Sequence, residues 1–217
     1  MLDLLLPQRC LGCGAPGASL CACCHRGLIR LGGPGCARCG APTVWQVERC
    51  RECSGRRVAF ASARAAVVYD ETVKRLVSAW KERGVRRIAP LAAGLVVETV
   101  AVPAADVVTF VPPDGDRSVK RGHHPAGRLA RELAARWELP VESLLARTRT
   151  TARQRGLPLA ERRRNVRGAF AARGSPGRVV LVDDVYTSGA TVSAAASALR
   201  RAGARRVDVV TFARAVR

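Results

Sequence analysis

The segment 178–191, RVVLVDDVYTSGAT, runs from an apolar stretch into two adjacent carboxylates and then into a loop of small hydroxyl residues and glycine. Backbone N–H groups and hydroxyls at the start of a helix can bind a phosphate. The carboxylates of Asp183 and Asp184 can accept hydrogen bonds from ribose hydroxyls, directly or through a bound Mg²⁺. A Walker loop is excluded because no Lys follows the glycine. The segment predicts a site for a phosphorylated ribose; the alternative is a strand end with a solvated acidic pair and a small-residue helix cap.

A second group of chemically active residues lies near the start of the chain, where all nine cysteines fall between residues 10 and 53. Eight of them form four C-x-x-C pairs. Such a turn presents two thiolates on one side of a tight loop, and two turns complete a tetrahedral zinc site. The pattern therefore predicts two structural zinc ions. The eight predicted ligands are Cys10, Cys13, Cys21, Cys24, Cys36, Cys39, Cys50 and Cys53.

The pairing of the cysteines has alternatives. Joining neighbouring pairs is the simplest assignment, and an interleaved one stays open. Cys23 and His25 lie in or beside the second pair, where we expect bystanders rather than substitute ligands. Disulfides are the main competing interpretation. The opening MLDLLLPQRC lacks the basic start and long apolar segment of a secretory signal, so we expect a reducing, cytoplasmic location that favours zinc.

After Gly55, apolar runs alternate with amphipathic runs, which is typical of strands alternating with helices. The predicted strands span 61–69, 105–112, 178–184 and 206–213. The predicted helices span 71–84, 88–100, 126–137 and 191–203. This order implies parallel pairing with right-handed crossovers, and ligands bind at the carboxyl ends of such strands. The fold class is α/β, with a cysteine-rich module at 1–57 and an α/β domain at 58–217.

The acidic segment has a defined place in this fold. We expect Val179 to Val182 to form a buried strand, Asp183 and Asp184 to leave its carboxyl end, and residues 187–191 to form the loop into the next helix.

The formal charge of +20 has two explanations. One is a polyanionic partner. The other is the coding bias of a GC-rich genome, because the basic residues are mostly Arg and the chain is rich in Ala, Gly and Val. No apolar run approaches the roughly 20 residues that cross a bilayer.

VVLVDDVYTSGAT resembles the 5-phosphoribosyl-1-pyrophosphate (PRPP) binding motif of type I phosphoribosyltransferases. The wider chain resembles the ComF family (ComFC/GntX-like), which joins an N-terminal double zinc ribbon to such a domain. Three further segments carry the likeness: VVYDETVKRLVSAWKERG, VPPDGDRSVKRG and RQRGLPLAERRRNVRGAF. The resemblance implies a type I phosphoribosyltransferase-like parallel sheet flanked by helices.

The resemblance also implies roles for individual residues. Asp183 and Asp184 would contact the ribose hydroxyls as the catalytic acidic pair, and Lys81 and Arg121 would neutralise the pyrophosphate. The residues that would surround the 5-phosphate are Thr187, Ser188, Gly189, Ala190 and Thr191. The turn from Pro112 to Asp116, with Pro113 and Asp114 at its centre, takes the place of the pyrophosphate loop. His123 and His124 stand where the family usually carries Phe-Asn, and we do not interpret them as a metal site.

The segment 147–167 corresponds to the flexible loop that closes over the active site in these transferases. Gln154, Arg163 and Asn165 match the family pattern there. The same segment holds the densest arginine cluster of the chain, so closing over PRPP and contacting a nucleic acid are two roles for one loop.

Three functions follow from the resemblance. The first is a PRPP-binding protein that handles single-stranded DNA during uptake in competence, with a competence helicase as a protein partner. The second is an active phosphoribosyltransferase that transfers ribose 5-phosphate from Mg²⁺-bound PRPP to a nucleobase or related amine. The third is a zinc-scaffolded interaction module with a regulatory PRPP site. Aromatic stacking platforms are few, with Trp45, Trp80 and Trp137 as the tryptophans, so DNA binding would be largely electrostatic.

Overall fold

The computed structural model describes residues 8–113, 124–148, 166 and 168–216. Four strands form a parallel sheet in the order β1-β6-β5-β2, and the remaining two form a small antiparallel ribbon. The strands are β1 (Ser62–Val68), β2 (Val107–Phe110), β3 (Leu145–Arg147), β4 (Phe170–Ala172), β5 (Arg178–Tyr186) and β6 (Arg206–Arg214). The helices are α1 (Ala22–Arg26), α2 (Glu71–Arg83), α3 (Ile88–Thr99), α4 (Pro125–Trp137) and α5 (Ala190–Arg201).

Helix α2 shows how the sequence fixes the ends of an element. The carboxylate of Asp70 accepts a hydrogen bond of 2.8 Å from the N–H of Val73, which caps the first turn. Gly84 ends the helix in the left-handed conformation with φ 65°. Between these caps, an apolar stripe that includes Leu76 and Trp80 faces the core. The two caps therefore place Lys81 in the last turn of the helix.

The sheet separates two hydrophobic cores, because side chains alternate between its faces. Val180 and Val182 pack in the core that contains α2, α3 and α4. Val179 and Leu181 pack in the other core, which contains α5. This second core also holds buried cysteines of the N-terminal module, namely Cys36, Cys39 and Cys53. The boundary expected between residues 57 and 58 stays a prediction, although part of the cysteine-rich module shares a core with the α/β domain.

The predicted strands and helices occur where the pattern placed them, and the sheet of four strands is parallel as expected. Two boundaries at the acidic segment differ. Strand β5 continues through Tyr186, because its pairing with β6 extends that far, and α5 already begins at Ala190. The ribbon of β3 and β4 was not predicted, since strands of three residues are too short to show a period. In the described part of the chain, no helix is both long and apolar enough to cross a membrane.

Candidate functional site

The acidic pair lies where β5 extends past its neighbour. On one side, β5 pairs with β6 as far as Tyr186↔Arg214. On the other side, its pairing with β2 ends at Phe110↔Val182. Asp183 and Asp184 are therefore the first residues of β5 beyond β2, at the edge where ligands of such sheets bind.

Lys81 meets this pair from the end of α2. The side chain of Asp184 is 10% exposed, and its Oδ1 lies 2.7 Å from Nζ of Lys81. The Lys81 side chain is 45% exposed, so solvent still reaches part of it. The structure thus brings together two parts of the predicted site that are about one hundred residues apart in the sequence.

The surroundings raise the pKa values of both Asp183 and Lys81. Burial, and then the charge of Asp184, raise the pKa of Asp183 to about 7, against the opposing effects of Lys81 and Arg147. Burial alone would lower the pKa of Lys81, but the carboxylates of Asp184 and Asp183 outweigh burial and raise it. The Asp183 carboxylate also accepts a hydrogen bond of 2.9 Å from the N–H of Asp184. An acid that titrates near neutrality can lose its proton when a cation binds beside it.

The loop that follows β5 is short and tightly turned. It comprises residues 187–189, and Ala190 and Thr191 already belong to the first turn of α5. Gly189 has φ 69°, and an added Cβ would overlap the hydroxyl of Tyr186, so only glycine fits there. The N–H of Ala190 donates to Oγ of Ser188 at 3.3 Å. The first backbone N–H groups of a helix lack intrahelical acceptors, so this loop and helix start can cradle an anion.

The turn after β2 is held at its start. His124 Nε2 lies 3.0 Å from the carbonyl oxygen of Val111, and its ring packs edge-on against Phe110 with centroids 5.2 Å apart. Arg147 Nε donates to the carbonyl of Pro112 at 3.1 Å. Pro113 is the last described residue of this turn.

Arg147 corrects one expectation. The sequence placed it at the start of the flexible loop, but it ends β3 and lies over the ring of Phe170, 4.8 Å from its centroid. Its place is fixed because β3 pairs Arg147 with Phe170 of β4. The other predicted residues of the pyrophosphate and flexible loops lie outside the described residues. These are Asp114, Arg121, Gln154, Arg163 and Asn165, and His123 lies there as well.

The eight predicted ligands form two tetrads with neighbouring pairs joined, as the simplest assignment predicted. The first tetrad is Cys10, Cys13, Cys21 and Cys24, and the second is Cys36, Cys39, Cys50 and Cys53. Within each tetrad the sulfur atoms all lie within 4.8 Å of one another. Cys13 and Cys21 are 3.7 Å apart at sulfur, and Cys36 and Cys53 are 3.5 Å apart. Four thiolates bound to zinc at about 2.3 Å lie about 3.8 Å apart, so both tetrads fit the metal.

Backbone N–H groups favour ionisation of one thiol in the second tetrad, that of Cys36. The sulfur of Cys36 accepts from the N–H of Cys39 at 3.5 Å and from the N–H of Cys50 at 3.3 Å. Burial works against ionisation, but these backbone donors and others nearby lower the pKa of Cys36 to about 6. Cys23 and His25 belong to neither tetrad, as expected of bystanders.

Known protein families match both the cysteine-rich module and the α/β domain. A double zinc ribbon domain matches residues 1–54, and a phosphoribosyl transferase domain matches residues 108–216. The chain belongs to the phosphoribosyltransferase domain family. Its fold is therefore a phosphoribosyltransferase-like parallel sheet flanked by helices, with an N-terminal double zinc ribbon.

Two curated relatives align with the chain over almost its whole length. The chain is 27% identical over 209 residues to Competence protein F of Haemophilus influenzae, covering 90% of each chain. It is 29% identical over 224 residues to the DNA utilization protein YhgH of Salmonella typhi, covering 95% of this chain and 96% of the relative. A solved structure, the glutamine PRPP amidotransferase from B. subtilis, is 29% identical over 58% of this chain and 25% of its own, with a TM-score of 0.38.

Sequence reasoning missed two arginines that connect the zinc ribbon to the phosphoribosyltransferase domain. Arg56 donates to the carbonyl oxygen of Ser188 at 2.6 Å. Arg214 is 1% exposed and ends strand β6, which is buried after its first residue. It donates to Glu52 at 2.7 Å and lies over the ring of Tyr186, 4.5 Å from its centroid. An arginine directly after the predicted strand 206–213 was the available signal, but its partner Glu52 lies 162 residues away in the sequence.

Proposed function

We propose that this protein binds PRPP with Mg²⁺ at the end of β5. The 5-phosphate would bind the backbone N–H groups of residues 187–191, and the ribose hydroxyls would bind Asp183 and Asp184. Mg²⁺ would be held by PRPP oxygens, with the acidic pair supplying the carboxylates that this ion prefers. Lys81 would face the pyrophosphate, a role we also propose for Arg121.

The Lys81–Asp184 ion pair is the observation that carries this proposal. It joins the end of α2 to the acidic pair, and Asp184 is followed five residues later by the left-handed Gly189 that directly precedes α5. A solvated strand end needs no such arrangement. Anion donors, ribose acceptors and a partly exposed cation within one site are what a phosphoribosyl pyrophosphate requires.

We further propose that the protein handles single-stranded DNA during DNA uptake. Support comes from relatives named for competence and for DNA utilization, together with the formal charge of +20. The arginine-rich segment 147–167, apart from its first residue Arg147 in β3, is the proposed DNA contact, and a competence helicase is a proposed protein partner. PRPP would then act as a ligand that regulates the protein rather than as a consumed substrate.

A second candidate is phosphoribosyl transfer, and the pKa of Asp183 near neutrality favours it. In that reaction the bond from C1 of the ribose to pyrophosphate breaks and a bond from C1 to an amine nitrogen forms. Pyrophosphate leaves, and ionised Asp183 accepts the proton that the amine loses. Transfer would make the protein an enzyme rather than a PRPP-regulated binding module.

Thermal unfolding with and without PRPP and Mg²⁺ tests the binding proposal, because a ligand of the native state raises the midpoint. We expect a shift in the parent and none after Asp183→Asn with Asp184→Asn. The control pair, Glu71→Gln with Glu98→Gln, removes two carboxylates whose side chains are 76% and 56% exposed, and should retain the shift.

A parent protein that shows no shift contradicts PRPP binding, and an acidic-pair variant that shifts like the parent contradicts the proposed site. Pyrophosphate release with a panel of nucleobases and amines then separates the two candidates. Release that depends on one of them identifies a transferase, whereas binding without release favours the regulatory function.

A further inference from the structure

The second cysteine tetrad is linked through Arg56 to residues 187–191, the loop and helix start that we call the phosphate loop. Arg56 lies three residues after Cys53, the last cysteine of that tetrad. Its Nη2 donates to the carbonyl oxygen of Ser188 at 2.6 Å. A second link lies alongside, where the N–H of Ala59 donates to Oγ of Ser193 in the first turn of α5 at 3.3 Å.

The bond from Arg56 fixes the direction of a peptide group in the loop. The C=O of Ser188 and the N–H of Gly189 belong to one peptide unit, and the described chain contains no cis peptide bond. In a trans peptide these two groups point in opposite directions. Holding the Ser188 carbonyl toward the zinc ribbon therefore turns the Gly189 N–H away from the ribbon, free for an anion in the loop.

Arg214 provides an independent connection. Its guanidinium donates to the carbonyl oxygen of Cys39 at 2.5 Å and to Glu52 at 2.7 Å, so it binds both halves of the second tetrad. The same group lies 4.5 Å from the ring centroid of Tyr186. Tyr186 in turn packs so closely on Gly189 that an added Cβ would overlap its hydroxyl. The contacts run without a gap from the tetrad to the turn of the loop.

The first tetrad lies elsewhere. Leu11 and Leu20, beside its cysteines, pack against the core of α2, α3 and α4. At Gly12, an added Cβ would come within 3.3 Å of the Thr72 methyl group, at the start of α2 and far along that helix from Lys81. The two tetrads therefore contact different parts of the phosphoribosyltransferase domain.

We propose that Arg56 and Arg214 are positioning residues for the phosphate loop, through which metal occupancy of the second tetrad sets the affinity for the ribose 5-phosphate end of the ligand. This inference rests on the proposed PRPP site. It adds that the second ribbon belongs to that site, while the first ribbon has a separate role.

The first test compares Arg56→Gln with Arg57→Gln by titration calorimetry. Both variants remove one positive charge from neighbouring positions, and Arg57 is exposed. We expect the Kd for ribose 5-phosphate and for PRPP to rise about tenfold in Arg56→Gln, as for loss of one charged hydrogen bond. The Kd for pyrophosphate alone should not change, nor should the zinc content. Arg56→Lys, which keeps a donor, should recover most of the affinity.

The outcomes separate the two proposals. A parent that binds neither PRPP nor ribose 5-phosphate overturns the proposed site, and this inference with it. A parent that binds, with Arg56→Gln indistinguishable from Arg57→Gln, overturns the positioning role and leaves the site standing. An equal loss of ribose 5-phosphate and pyrophosphate affinity also contradicts a role confined to the phosphate loop.

The second test measures the coupling from the metal side. If zinc in the second tetrad strengthens PRPP binding, PRPP must strengthen zinc binding by the same factor. In equilibrium competition with a chelator, PRPP should protect one of the two predicted zinc ions in the parent, and Arg56→Gln should weaken that protection, since the connection through Arg214 remains. Protection of both ions to the same degree, or of neither, would contradict the inference.

Discussion

Nζ of Lys81, in the last turn of α2, lies 2.7 Å from Oδ1 of Asp184, near the end of β5. The lysine is partly open to solvent, whereas the carboxylate is almost covered. Loss of the ion pair therefore affects the buried carboxylate more than the partly exposed lysine. Removing the cation leaves a buried acid without its counter-charge, which costs more than losing an exposed pair.

We expect Lys81→Gln to destabilise the protein by about 1 kcal/mol, since solvent still reaches the lysine and screens part of the interaction. Lys74→Gln is the matched control. It lies on the same helix and pairs with exposed Glu71 at 3.0 Å, so its change should stay within about 0.5 kcal/mol. Urea denaturation measures both, and equal effects would show that the pair with Asp184 is no stronger than a surface pair.

Asp183 makes stability depend on pH in a defined direction. Burial and the charge of Asp184 raise its pKa from 3.8 to about 7. Between these values the folded protein holds a proton that the unfolded chain releases, so this group's contribution to stability falls as the pH rises. Asp183→Asn removes this pH dependence. The free energy of unfolding of the variant, relative to that of the parent, should therefore increase by at least about 1 kcal/mol between pH 5 and pH 8. Urea denaturation of both proteins across this pH range measures the difference. A difference in unfolding free energy that does not change with pH would contradict the raised pKa of Asp183.

The same titration should appear in ligand binding. Ionised Asp183 is the form that accepts ribose hydroxyls or faces Mg²⁺, so PRPP affinity should increase as the pH rises toward 7 and then level off. PRPP itself also titrates, so the informative quantity is the difference between the parent and Asp183→Asn. We expect the parent to lose up to about tenfold per pH unit below 7 relative to the variant. Parallel pH profiles would exclude Asp183 from the binding equilibrium.

The sequence predicted the features that depend on local pattern, and the structure added those that depend on distant contacts. The strand before Asp183 and the caps of α2 follow from short-range periodicity and capping chemistry. The end of β5 does not, because it is set by pairing with β6 through Tyr186↔Arg214. Arg56 and Arg214 act on groups more than 130 residues away, and no local signal identifies such partners.

Loss of the second tetrad should affect more than the ribbon. If the cysteine-rich module at 1–57 were independent of the α/β domain, Cys36→Ser with Cys39→Ser would destabilise that module and leave the α/β domain folded. Because Cys36, Cys39 and Cys53 share a core with α5, we now expect the variant to lower the unfolding midpoint of the phosphoribosyltransferase domain as well.

The matched variant, Cys10→Ser with Cys13→Ser, should lose one zinc ion with a smaller change in that midpoint. Zinc analysis and thermal unfolding followed by tryptophan fluorescence measure both effects, since Trp80 and Trp137 lie in the core of the domain. Equal midpoints for the two variants would contradict the shared core. Purified protein without zinc, with its thiols oxidised in pairs, would contradict the metal assignment altogether.

The last prediction separates a DNA-binding function of the arginines from coding bias. If the segment 147–167 follows a nucleic-acid backbone, affinity for single-stranded DNA should fall with salt at a log-log slope of about −0.7 per phosphate contact. Replacing Arg162, Arg163 and Arg164 by Gln, three positions outside the described residues, should then flatten the slope by about 2 units.

The control for this experiment must remove the same charge without disturbing the fold. Arg206 is unsuitable because it pairs with the nearly buried Asp208 at 2.6 Å. Arg131, Arg201 and Arg205 are exposed and lie outside the segment in the sequence, so their triple replacement should leave the slope almost unchanged. Coding bias predicts that scattered arginines bind DNA interchangeably, which makes the two triple variants equal. Fluorescence anisotropy of labelled single-stranded DNA across a salt series distinguishes these results, and equal slopes would remove the segment as the DNA contact whatever the absolute affinity.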